Sequence, residues 1–288
     1  MTALKASELT LADDGSLYHI RLFAEDLAEK IILVGDPKRV EDISKHFEKI
    51  EIKKANREIV SHTGTYKGKR ITAISTGMGV DNLDIVITEL DACKNIDFKT
   101  REIKSNHTAL TLVRIGTTGA MQKDMDINSY ICSKYVVGID GMMWFYNNKE
   151  GIMEQELQQN FTAFMQWHSP LPTPYCVQAD NELVERIAFD IKQGITITAP
   201  GFYGPQGRCI RLPLYREDIN TLLHNFTYKG YKVTNYEMET SSLYCLAKNL
   251  GHKALTICNV IANRELGSFA KDYHTSMNGL ILQTLDRI

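Results

Sequence analysis

The chain has 288 residues, 43% hydrophobic and 24% charged, which excludes a disordered or fibrous protein and suits one large domain spanning 1–288. Its 33 Lys and Arg against 35 Asp and Glu leave a formal net charge of -2, so no overall field draws in nucleic acid or an anionic membrane, and any phosphate site must be local. No apolar run approaches the roughly 18 residues of a membrane span, the opening MTALKASELT has neither a basic n-region nor an apolar h-region, and the six cysteines (Cys93, Cys132, Cys176, Cys209, Cys245, Cys258) lack a C-x-x-C pair, so the expectation is a reduced, cytoplasmic protein.

Taken in chain order, a short apolar strand at 31–34 ends in Gly35-Asp36-Pro37, a turn that opens a helix near Arg39. Strands at 59–65 and 70–75 flank Tyr66-Lys67-Gly68-Lys69 and read as a hairpin. After Thr76-Gly77-Met78-Gly79, Asp81 or Asn82 is the expected cap of a helix whose apolar positions are Leu83, Val86, Ile87 and Leu90. A buried strand at 110–115 is expected to stop at Gly116-Thr117-Thr118-Gly119. Further strands are expected at 131–137, 195–199, 233–236 and 254–261, and helices at 152–167, 181–192, 216–228, 240–250 and 268–285. Trp144, Trp167, Pro170, Pro172 and Pro174 mark 141–180 as a long excursion. Alternating strands and helices with nearly continuous apolar strands predict a three-layer αβα sandwich around a central mixed β-sheet.

Four segments carry chemistry. Gly35 to Arg39 and Arg114 to Gly119 each place glycine, hydroxyl or backbone N–H groups beside an arginine at a strand end, as an anion requires, although ordinary turns with glycines chosen for positive φ have the same composition. In Asn235-Tyr236-Glu237-Met238-Glu239, two carboxylates at i and i+2 share one face and can accept from vicinal hydroxyls; an acidic helix start reads the same way. In Phe202-Tyr203-Gly204-Pro205-Gln206-Gly207-Arg208, Gln206 and Arg208 beside aromatics suit the amide edge of a planar heterocycle, the alternative being a surface loop with Arg208 in water. Neither glycine loop is a P-loop, and Gly77-Met78-Gly79 lacks the third glycine of a dinucleotide fingerprint.

The strings GDPKRV, STGMG, RIGTTGA, FYGPQGR, NYEMET and VIANR, in that order along nearly the whole chain, resemble the nucleoside phosphorylase family, and within it the uridine branch. The resemblance implies phosphate binding by Gly35, Arg39, Arg57, Arg114 and Thr117, ribose binding by His19, Glu237, Met238 and Glu239, and base binding by Phe202, Gln206, Arg208 and Arg264. His19 and Arg57 are implied to act on the neighbouring subunit's site, making the protein a homodimer or a higher homo-oligomer. The implied reaction is reversible phosphorolysis of uridine to uracil and α-ribose 1-phosphate, a pyrimidine salvage step carried by Arg114, Thr117, Glu239, Gln206 and Arg208. Deoxyuridine and thymidine are open as side substrates. No cofactor is implied, because orthophosphate is a co-substrate, and no nucleic-acid or membrane partner. Asn263-Arg264 stands where purine-acting relatives often carry Ser-Asp, which favours a pyrimidine. Three positions depart from the pattern. Arg21 stands in the place of a glycine, Gly207 in that of an acidic residue, and Asn82 in that of a serine that can join a glutamate (here Glu58) on a monovalent cation; no metal is therefore predicted. The alternatives are a phosphorylase of another nucleoside, purine or thymidine, and a nucleoside-binding protein without catalysis.

Overall fold

The computed structural model describes residues 3–168 and 170–288. The chain opens with β1 (Lys30–Val34), α1 (Pro37–Ser44), β2 (Lys49–Asn56), β3 (Ile59–Tyr66), β4 (Lys69–Ser75) and α2 (Val80–Asn95). A small hairpin, β5 (Ile96–Asp97) and β6 (Glu102–Ile103), leads to β7 (Thr111–Ala120) and β8 (Tyr130–Gly138). Then come α3 (Gln155–Phe164), β9 (Tyr175–Gln178), α4 (Asn181–Ile187), β10 (Lys192–Thr198), α5 (Ile219–Asn225), β11 (Thr227–Tyr228) and β12 (Tyr231–Glu237). The chain closes with α6 (Thr240–Leu250), β13 (Lys253–Asn263), β14 (Ser268–Phe269) and α7 (His274–Arg287).

Ten strands run in the order β11-β12-β10-β8-β13-β7-β1-β4-β3-β2, mixed in direction, with β7, β1 and β4 parallel to one another and β13 parallel to β7. An antiparallel contact between β12 and β7, Asn235 opposite Ala120 and Tyr236 opposite Gly119, closes β7, β12, β10, β8 and β13 into a ring. Buried side chains from four ring strands are joined there: Thr196 donates to Ser133 Oγ at 2.6 Å and faces Asn235 Oδ1 at 2.9 Å, and Asn235 donates to Thr118 Oγ1 at 3.0 Å. These buried polar groups satisfy one another, with Thr118 also donating to the Tyr236 carbonyl and Thr234 to Asn235 Oδ1, so they set the register of the ring as well as filling it. α2 packs on α6, whereas α1 and α4 pack on α7, so two groups of helices flank the sheet and complete the α/β sandwich.

Local chemistry explains where elements begin. Asp36 caps α1 by accepting the Lys38 N–H at 2.9 Å, with Pro37 in the first turn. Lys67 (φ 47) and Gly68 (φ 75) form the tight turn of the β3–β4 hairpin.

Several boundaries differ from the sequence reading. β7 does not stop at Gly116 but continues to Ala120, because β13 pairs with it along its whole length and β12 takes its end. The cap of α2 is Gly79 at φ 99, not Asp81 or Asn82, both of which lie in its first turn. The helix expected over 181–192 ends at Ile187, and that over 216–228 shrinks to 219–225 before a short hairpin. The helix expected from 268 starts at His274, its first residues forming β14. β2, whose residues alternate exposed and half-buried, gave no apolar run and was not expected. The 141–180 excursion holds a 3-10 turn at Met142–Phe145, α3 and β9; its position 169 lies outside the described residues.

Candidate active site

The carboxyl ends of β1, β4, β7, β12 and β13 converge on a cavity of about 760 Å³, the place where open α/β sheets usually bind ligands. Among the expected residues, Gly35, Arg39, Arg114, Thr117, Phe202, Gln206, Arg208, Glu237, Met238 and Glu239 line it together. The chain thus brings ten residues from four segments, up to 204 positions apart, to one surface.

Arg114 is the centre of the inner end. It sits within β7 opposite Leu33 of β1 and Thr256 of β13, and is 5% exposed. Its Nη2 donates to Glu239 Oε2, and its Nη1 lies 3.4 Å from Glu237 Oε2. Burial alone lowers an arginine's pKa, but the two carboxylates outweigh it and hold Arg114 above its ordinary value. Glu237 Oε2 also accepts the N–H groups of Glu239 and Thr240, both at 2.9 Å, so this carboxylate does cap the start of α6. Glu239 Oε1 accepts the Gly79 N–H at 2.8 Å, a role for the STGMG segment that its sequence did not disclose. Burial pushes the Glu239 carboxyl above 4.5, with Arg114 opposing and Glu237 adding to the rise.

Arg39 approaches from α1, nearly buried, with Nη1 3.5 Å from the Ile115 carbonyl; burial and Arg114 lower its pKa against the pull of Asp36. Gly35, Gly116 and Gly119 do not serve positive φ, unlike Gly77 (φ 73) and Gly79 (φ 99). Gly116 is required by close approach, since a Cβ there would lie 2.5 Å from Arg114 Nη1 and 2.9 Å from Cys258 Sγ.

At the outer end, Arg208 does not simply face water. Its guanidinium stacks 3.8 Å from the Phe202 ring centroid and donates to the Phe202 carbonyl and, at 2.6 Å, to Gln206 Oε1. Arg264 reaches the same Gln206 from behind, with Nη1 on its carbonyl at 2.7 Å and Nη2 on Oε1 at 2.8 Å, while stacking on Tyr236 at 4.7 Å. Burial first and Arg208 second push the Arg264 pKa down to about 10. Two guanidinium donors on Oε1 fix the Gln206 amide with its NH₂ as the free edge. Gly207, at φ 68, is explained by its αL backbone and by Asn220, whose Nδ2 would lie 2.3 Å from a Cβ.

His19 and Arg57 do not line this cavity. His19 Nδ1 lies 2.5 Å from Glu89 Oε1, and Asn56, next to Arg57, donates to the His19 carbonyl at 2.9 Å, so the two stand together on one outer edge. Arg57 is exposed at the β2–β3 turn with φ 54. Arg21 adopts φ 57, the conformation a glycine there would supply. Glu58 and Asn82 meet at the rim beside Gly77. Asp91, His107 and His252, away from the cavity, bring potential metal-ligating atoms within 4.8 Å of one another. His252 Nδ1 accepts the Leu110 N–H at 3.2 Å, so the neutral ring carries its proton on Nε2, which faces Asp91 and has no lone pair for a cation.

A buried arginine between two carboxylates beside glycine-lined strand ends, next to an arginine-held amide and an aromatic ring, has the chemistry of an enzyme cleft that can take an anion beside a planar polar ring. The model of the phosphorylase superfamily matches residues 29–284, and the chain belongs to that superfamily. Within it the chain is a nucleoside phosphorylase, a pentosyltransferase. It is 30% identical over 266 residues to the uridine phosphorylase of Thermococcus kodakarensis, covering 92% of this chain and 84% of that one. It is also 30% identical over 271 residues to the DeoD-type purine nucleoside phosphorylase of Geobacillus stearothermophilus, covering 93% and 97%. A Trypanosoma brucei nucleoside phosphorylase, described as showing uridine phosphorylase activity, superposes with a TM-score of 0.86 at 27% identity, covering 97% of this chain and all of that one.

Proposed function

We propose that the enzyme is a uridine phosphorylase of pyrimidine salvage. The observation that carries the base assignment is the outer end of the cavity, which presents N–H donors from Gln206 and Arg208, with Arg264 behind them; the partners of the two arginine side chains are carbonyl oxygens, the Gln206 amide and aromatic rings. Uracil leaves as an anion with charge on its carbonyl oxygens, which donors stabilise; a purine leaves best when an acid protonates its ring. Asn263, where purine-acting relatives often carry serine, is used up inside the fold, donating to the Gln122 and Met125 carbonyls.

In this reading Arg39, Arg114 and Thr117 hold orthophosphate below the sugar's C1′, and Glu239, with Met238 beside it, holds the ribose hydroxyls. Fixing both reactants in one geometry replaces a bimolecular encounter and supplies up to several kcal/mol of the barrier reduction. As the glycosidic bond lengthens, the phosphate's charge faces the cationic sugar, while Gln206 and Arg208 meet the charge growing on uracil. Phosphate attacks C1′, the base leaves with the bond's electron pair, and no side-chain nucleophile takes part. The functional unit is at least a dimer, in which His19 and Arg57 of one chain reach the other chain's cavity.

The test is uracil release from uridine, followed by ultraviolet absorbance with and without phosphate, beside inosine as the purine substrate. Release from uridine only with phosphate supports the proposal. Faster phosphorolysis of inosine overturns the base assignment, and release without phosphate makes the enzyme a hydrolase.

A further inference from the structure

Thr198, the last residue of β10, belongs to none of the six motif strings, yet its fully buried hydroxyl touches the heart of the site. It accepts the Ser241 N–H at 3.0 Å and donates to Glu237 Oε1 at 2.5 Å. A hydroxyl has one proton, so the N–H that Ser241 points at Thr198 leaves that proton for the carboxylate and fixes its direction. Glu237 then has both oxygens engaged inside the protein: Oε1 by Thr198, and Oε2 by two backbone N–H groups and Arg114. The far side is anchored as well. Ser241 Oγ donates to Asp140 Oδ2 at 2.8 Å, and Tyr175 donates to Asp140 Oδ1 at 2.8 Å, so the first turn of α6 has little freedom to move.

We infer that Thr198 is a positioning residue for phosphorolysis, acting through Glu237 on Arg114. Glu237 serves as an internal brace on one side of the phosphate-facing guanidinium, whose other side Glu239 holds through Nη2. Sequence spacing alone gave the two glutamates one shared role; Glu239 is engaged by Arg114 and the Gly79 N–H, whereas Glu237 is the one reached by the Thr198 hydroxyl. The inference rests on phosphate binding beside Arg114, and holds whichever base the enzyme prefers.

The experiment compares Thr198→Val and Thr198→Ser with the wild type in three readouts: calorimetric titration of inorganic phosphate, calorimetric titration of uracil, and steady-state turnover of uridine. Removing a hydrogen bond to a buried charge is expected to weaken phosphate binding by about tenfold or more in Thr198→Val, to lower kcat, and to leave uracil affinity unchanged. Thr198→Ser, which keeps the hydroxyl, restores phosphate affinity. If valine prevents folding, Thr198→Cys, a poor donor in similar space, is expected to show the same selective loss. The inference is overturned if Thr198→Val binds phosphate like the wild type, if phosphate and uracil affinities fall in parallel, or if serine fails as badly as valine. Phosphate binding without nucleoside cleavage in the wild type would instead refute the proposed reaction, and the phosphate titrations would still judge the brace.

Discussion

Arg114→Ala tests the coupling of charge and fold at the centre of the site. The substitution removes the cation lying between Glu237 and Glu239, both almost fully buried. Breaking a buried ion pair by deleting one partner costs about 3–5 kcal/mol. At about 2–4 °C per kcal/mol for large domains, the expected fall in Tm is about 6–20 °C. The pH dependence has a definite sign. Glu239 is already raised above 4.5 by burial, with Arg114 opposing the rise, and without Arg114 it rises further. The folded variant then keeps a proton that the unfolded chain releases, so its stability falls as pH rises above about 4.5 and recovers on acidification. Scanning calorimetry at about pH 5 and about pH 8 should therefore show a gap to the wild type that is wide at the higher pH and narrower at the lower. Turnover should fall by about 10²–10³ through loss of a positioned donor, with a higher KM for phosphate. A variant that melts with the wild type at the higher pH, or whose gap widens on acidification, refutes the reasoning.

Arg208→Ala should lower kcat/KM for uridine by about 10–100-fold while leaving the phosphate KM unchanged, since the side chain's hydrogen bonds go to Phe202 and Gln206 of the base loop; a matching loss of phosphate affinity would sink the assignment. Gly116→Ala places a methyl 2.5 Å from Arg114 Nη1, and such overpacking should destabilise by about 1–3 kcal/mol; steady-state kinetics should also show a higher phosphate KM, and an unchanged KM would show that the guanidinium has room to give. Mixing His19→Ala with Glu239→Gln chains should recover activity, because each mixed dimer rebuilds one complete site; an absence of recovery after subunit exchange argues against sharing of His19.

Much of the site was legible because its parts are short and local. Gly35 to Arg39 is a strand end with its own cap, and Glu237-Met238-Glu239 places two carboxylates two residues apart on one strand end. The resemblance of six strings then supplied roles that spacing alone left open. The resemblance placed Arg264 among the base-binding residues; in the fold it donates twice to Gln206, from behind the base loop. Thr198 gave no signal, because one threonine at the end of a β-strand is common and its partner, Glu237, lies 39 residues away.

The sequence by itself determined the alternation of strands and helices, the apolar strands of the central sheet and the family, since each follows from residues close together or from motif order. Only the tertiary structure decided where β7 ends, how five strands close into a ring, why Gly116 must lack a side chain and which donors reach each glutamate. Those facts depend on contacts between residues far apart in the chain, where a carboxylate's role is set by the donors that reach it and a strand's length by the neighbours that pair with it.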